Sequence, residues 1–168
     1  ATLKALDLGH GFTSDGKTYP LRGTGIGLLP TLIEVLEADT GGQFLVNFKS
    51  NRKSEGRALA ALLQNPDARQ KVFGIYGGDA PTAAVRADLP DMPGFGKAAL
   101  KRCLLSYAAM GWTGWVPDAC ADRLIAVPVN FAPFLWGWPH RFTQRMKASG
   151  TEVILWGPYD GSGFSSGF

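Results

Sequence analysis

The sequence predicts an α/β fold of the TIM-type (β/α) barrel kind, incomplete within these 168 residues. First, short apolar runs alternate with helix-period segments from Thr31 to Trp156, the order that builds a parallel sheet. Second, four strands are well marked, six with the weakest runs, whereas eight strands and their helices take about 250 residues, so the barrel is incomplete or the fold is an open sheet. Third, a hydrophobic content of 45% is enough for a substantial core and too high for a disordered chain. Residues 1–168 are therefore read as one domain, a partial barrel, rich in turns because of its 22 glycines and 11 prolines.

The first helix runs from about Thr31 to Ala38, where Thr31 and Glu34 have the spacing of a capping box. Gly41-Gly42 ends it, and Gln43-Phe44-Leu45-Val46-Asn47-Phe48-Lys49 reads as a buried strand. Next come a helix from Ser54 to Leu63, a strand from Lys71 to Tyr76 and a helix from Pro81 to Ala87. Past Pro93 follow a long helix from Lys97 to Met110, a strand from Arg123 to Val127, a helix from Arg141 to Ser149 and a strand from Thr151 to Trp156. Gly111 to Ala121 and Val129 to Pro139 are loops dense in Trp, Gly and Pro, the kind of segment that tends to carry function.

Charge and apolar runs exclude several classes of partner. Lys and Arg total 17 against 14 Asp and Glu, and the surplus is spread along the chain, which argues against nucleic acid. The densest basic stretch, Lys49 to Arg57, includes Glu55, and a solvated helix face explains it about as well as a phosphate site does. No apolar run approaches the roughly 20 residues of a transmembrane helix. Cys103 and Cys120 lack the spacing of a zinc site and are read as two buried thiols, or as one disulfide if the parent is exported.

Three motif matches are set aside. Gly23-Thr24-Gly25-Ile26-Gly27 has no strand before it and no Gly-Lys-Ser/Thr after it, so it reads as a loop rather than a phosphate cradle. Gly163-Phe164-Ser165-Ser166-Gly167 has the form of a nucleophile elbow, but only Phe168 follows it. His10 and His140 are too isolated for a triad, and His140 reads as a helix start.

The most informative strand is Phe44 to Lys49. A period of two puts Leu45, Asn47 and Lys49 on one face and Phe44, Val46 and Phe48 on the other. In a barrel, Asn47 and Lys49 then point inward near the C-terminal rim, where such folds build their sites. A lysine held there calls for an anion, and a lysine lying past the strand in solvent calls for none.

Leu6-Asp7-Leu8-Gly9, Phe12-Thr13, the loop to Pro20 and Leu29-Pro30-Thr31-Leu32-Ile33-Glu34-Val35-Leu36 resemble the stretch of glycerophosphodiester phosphodiesterases that leads into their third strand. That strand ends in a hydrophobic-Glu-hydrophobic-Lys pattern, and Val46-Asn47-Phe48-Lys49 stands in its place. Trp156 resembles a tryptophan common on the family's late strand. As an order of elements the likeness spans nearly the whole chain, but the specific motifs lie in its first fifty or so residues.

The resemblance implies a metal-dependent phosphodiester hydrolase of lipid metabolism, cleaving a small glycerophosphodiester to an alcohol and glycerol phosphate with a divalent cation, Mg or Ca. It implies Lys49 as a phosphate contact and Asn47 as the metal ligand; Tyr76 and Trp156, at strand ends near the same rim, are read as substrate-binding residues, although an aromatic at such a position is core more often than site. The family's His-Arg-Gly, Glu-Asn-Thr, Glu-x-Asp and His-Asp have no counterpart here, and its third-strand glutamate is the neutral Asn47. No catalytic residue is therefore assigned, cation binding by this chain is expected to be weak at best, and the chain alone is expected to be inactive, and unstable or self-associating. The alternative is a non-catalytic member or ligand-binding module that has lost the metal site.

Overall fold

The computed structural model describes residues 3–38, 41–121 and 123–159. Residues are grouped in two compact units, Ala1–Gly42 and Gln43–Phe168. The elbow-like Gly163-Phe164-Ser165-Ser166-Gly167 lies outside the described residues.

In the first unit, polar side chains fold the loops. The Asp7 carboxylate accepts N–H bonds from Gly9, Gly23 and Gly25 at 2.7–3.0 Å, and Asp7 bridges Ile26 in antiparallel fashion. The glycine run that mimics a phosphate cradle thus wraps a carboxylate of its own chain. Asp15 gathers the N–H groups of Lys17 and Thr18 and the hydroxyls of Thr13 and Thr18. Helix α1, Leu32–Glu37, starts at the expected capping box: Thr31 Oγ1 accepts from Glu34 N, and Glu34 accepts from Thr31 N. Lys4 donates to the same glutamate.

The second unit is mixed α/β with small parallel sheets. Strands β1, Phe44–Phe48, and β2, Val72–Gly77, pair in parallel through helices α2, Lys53–Leu62, and α3, Pro66–Gln70. Helix α4, Asp79–Asp88, then leads to β3, Gly94–Gly96, which pairs in parallel with β2. Helix α5, Lys97–Met110, precedes β4, Leu124–Pro128; helix α6, His140–Ala148, leads to β5, Glu152–Trp156, parallel to β4. The expected elements appear with ends shifted by one or two residues, and α3 and β3 are additional to them.

The strands do not make one closed wall. Among the described residues they form a three-stranded sheet, β1-β2-β3, and a two-stranded sheet, β4-β5. The two sheets share a core: Phe95 of β3 is buried with Leu124, Ile125, Ala126 and Val127 of β4, and Phe142 and Met146 of α6 close it from the helix side. All of β4 is buried, as its uninterrupted Leu-Ile-Ala-Val run requires. At their C-terminal ends the sheets meet again, where the rings of Tyr76 and Trp156 pack edge to face at 5.0 Å.

Cys103 on α5 and Cys120 form a disulfide, with Cα atoms 4.8 Å apart. Of the two readings, buried thiols or one disulfide, the structure has the disulfide. The two cysteines are 17 positions apart, and it is the turn Gly111–Thr113 after α5 that folds the chain back so that the pair can meet.

Candidate anion-binding site

Parallel strands leave their carboxyl ends on one edge of a sheet, and the loops that follow them lie together there. In β1-β2-β3 the register aligns Asn47, Tyr76 and Phe95 in one row across three strands. Their side chains therefore share the face that looks toward β4 and β5. Leu45 and Gly74, one row below, lie on the same face, and a side chain at Gly74 would press on Leu124 of β4. The inward orientation expected for Asn47 is what this register produces.

Above that row lies a cavity of about 130 Å³, lined by Asn47, Phe48, Lys49, Tyr76, Gly77, Phe95 and Lys97. Two of its seven lining residues are lysines and none is acidic. Both lysines are exposed, and neither has a hydrogen bond or ion pair among the described residues. Lys49 follows β1 directly and Lys97 follows β3, so the two cations flank the end of β2 from either side. Phe95, buried, and Phe48 supply the apolar surfaces of the cavity.

Tyr76 stands between the lysines. Its ring packs against Phe95 at 5.6 Å and against Trp156 at 5.0 Å. Burial raises the pKa of its phenol, and a side-chain hydrogen bond with Asn47 opposes that rise. The Asn47 amide and the Tyr76 phenol both line the cavity.

Close backbone approaches hold this rim in place. Gly77 has φ of 121° and lies against the Phe48 carbonyl, where a Cβ has no room. Gly96 lies equally close to the Asp79 carboxylate. That carboxylate accepts the Ala98 N–H at 3.0 Å, capping α5 from the start of α4. Asn51, in the loop after β1, caps α4 in the same way by accepting from Ala80 N at 2.8 Å.

A divalent cation does not fit this set. Hard cations take carboxylate and carbonyl oxygens, whereas the lining side chains offer one amide and one phenol between two ammonium groups. Among the described residues no group of three or more His, Cys, Asp or Glu could hold a metal elsewhere. The chemistry of this lining suits an anion better than a cation.

Of the residues expected at a site, Asn47, Lys49 and Tyr76 come together here; Trp156 touches Tyr76 but is not among the lining residues. Lys97 was read only as a helix start. Its signal is the sequence Gly94-Phe95-Gly96-Lys97, a minimal strand whose end delivers the lysine to the rim. His140 begins α6, as expected. His10 is exposed and lies 4.0 Å from Asp7.

The tryptophan loops prove in part to be scaffold. Trp136 Nε1 donates to the Ala108 carbonyl of α5, and Tyr107 Oη donates to the Trp136 carbonyl. Arg145 of α6 donates to the Gly111 carbonyl and to Tyr107 Oη. No helix among the described residues is long and apolar enough to cross a membrane. Compared with protein-family models, with curated proteins and with solved structures, the chain finds no match.

Proposed function

We propose that the cavity at the ends of β1, β2 and β3 holds the phosphoryl group of a small phosphoester, and that the chain is the phosphate-holding part of a phosphodiester hydrolase resembling glycerophosphodiester phosphodiesterases. The observation that carries this reading is the convergence of Lys49 and Lys97 on one cavity without a lining carboxylate. Both lysines are exposed, so what draws an anion is the sum of two unpaired positive charges at one rim rather than the burial of either. The parallel strands and the contact of Tyr76 with Trp156 across the two sheets support the finer reading of a partial (β/α) barrel wall.

None of the lining residues supplies a metal carboxylate or a proton-donating histidine, so binding is the part of the reaction this chain accounts for. The same fact favours a second reading, a ligand-binding module without hydrolytic activity, in which the neutral Asn47 stands where the family has a metal-holding glutamate.

Titrating the 168-residue chain with glycerol phosphate and with a glycerophosphodiester, followed by amide NMR, tests the binding. Shifts confined to residues around Tyr76 and Gly77, and weakened about tenfold by Lys49→Ala or Lys97→Ala, are the expected result. Binding of neither compound overturns the proposal. Adding Mg or Ca and following release of the alcohol separates the two readings: turnover identifies a hydrolase, and binding without turnover a module.

A further inference from the structure

The charge of the cavity says more about its ligand than that it is an anion. Lys49 and Lys97 bring two positive charges, and Tyr76 brings a phenolic O–H. The side chains present two cations and a hydroxyl donor, and no base to accept a proton from the ligand. A phosphodiester carries one negative charge at neutral pH; a phosphomonoester carries nearly two, because its second ionisation falls near pH 6.

Other charges near the rim do not cancel this excess. The carboxylate that approaches from α4 is Asp79, which is turned toward Ala98 N behind Gly96 and does not line the cavity. By capping α5 it also offsets the positive end of that helix, so the lysines rather than the helix dipole carry the attraction. From the loop after β1 come Asn51, bonded to Ala80 N, and Arg52, a further cation. The volume of about 130 Å³ is well below the ~300–1,000 Å³ of clefts for drug-sized ligands, so it suits a phosphate head with little attached.

Resting on the reading of this cavity as a phosphoester site, we infer that it selects a phosphomonoester dianion over a phosphodiester. If the parent is a hydrolase, its product rather than its substrate then binds tightest at this point.

Methyl phosphate and dimethyl phosphate differ by one methyl group and one ionisation, and they suit a small cavity. Each is titrated into the 168-residue chain at constant ionic strength, at pH 7.5 and at pH 5, with the Gly77 amide as reporter. Methyl phosphate is expected to bind about five- to tenfold more tightly than dimethyl phosphate at pH 7.5, the gain from one extra charge near two cations in a solvated rim. At pH 5 the two should agree within about twofold, because the monoester has taken up its second proton. Any titration of the protein itself moves both ligands together, so their ratio isolates the ligand's charge. Lys49→Gln and Lys97→Gln, at exposed positions that leave the spectrum of the fold intact, should each pull the ratio toward one. Equal or tighter binding of dimethyl phosphate at pH 7.5 overturns the selectivity and leaves the phosphoester site standing. Binding of neither overturns both.

Discussion

The two units of this chain are held together by different physics. In Ala1–Gly42, Leu3, Leu6, Leu8, Phe12, Leu21, Ile26, Leu28 and Ile33 are exposed, and the loops are fixed by carboxylates that collect N–H and O–H donors. In Gln43–Phe168, a cluster of buried aromatic and aliphatic side chains and a disulfide do that work. A carboxylate network depends on ionisation and a packed core on volume, so the units should fail under different stresses.

The largest effect is expected from opening the core. Phe142 is fully buried, with its ring at 5.0 Å from that of Tyr107 and 5.5 Å from that of Trp138. Phe142→Ala should cost the α/β unit about 3–5 kcal/mol, read from denaturant unfolding, and leave amide shifts of the first unit unchanged. Next in size is the disulfide. Replacing Cys103 and Cys120 by Ala should cost about 3 kcal/mol for a loop of this length, seen as a lower denaturant midpoint that reductant no longer affects.

Acid should act on the first unit. Asp7 is held below the ordinary carboxylate range chiefly by the Gly23 N–H, and Asp15 well below it by the Thr18 and Lys17 N–H groups. Glu34 is lowered to about 2, first by Lys4 and then by the Thr31 N–H. Because these folded-state values are depressed, the stability they contribute is fully present above the ordinary value of about 4 and is lost as pH falls through the folded values. Between pH 4 and 2, amide shifts of Gly9, Gly23 and Gly25 should move toward those of an unfolded chain while those of β4 hold. The smallest effect is expected from Thr31→Ala, which removes one half of the capping box and should cost α1 about 1 kcal/mol or less, seen as lost protection of the Glu34 amide. A core variant that also unfolded the first unit, or an acid transition that struck both units together, would erase the distinction.

Much of the secondary structure was legible because its elements follow local rules. The Thr31–Glu34 spacing marked α1, the Phe44–Phe48 run marked β1 and the Lys97–Met110 periodicity marked α5. Strand β3 was not, because three residues, two of them glycines, carry no periodicity; Lys97 was missed with it, since only the pairing of Gly96 with Gly77 brings it beside Tyr76. Asn47 and Lys49 could be placed on a common face by alternation alone. The Cys103–Cys120 bond was legible only as one of two alternatives, because it depends on how the chain turns after α5. Nor does alternation tell whether five parallel strands make one wall or two sheets, which depends on side-chain volumes between β3 and β4.

The capping of α4 by Asn51 and of α5 by Asp79 limits how this molecule can change over evolutionary time. Each loop at the rim fastens the helix that follows the next strand, so lengthening one loop would release a helix belonging to another. Variation by insertion is cheap only where a loop fastens nothing but itself. A lineage that retuned this rim would therefore have to do so by exchanging side chains at fixed spacing, with positions such as Lys49 and Lys97 as the variables. Insertions would accumulate away from it.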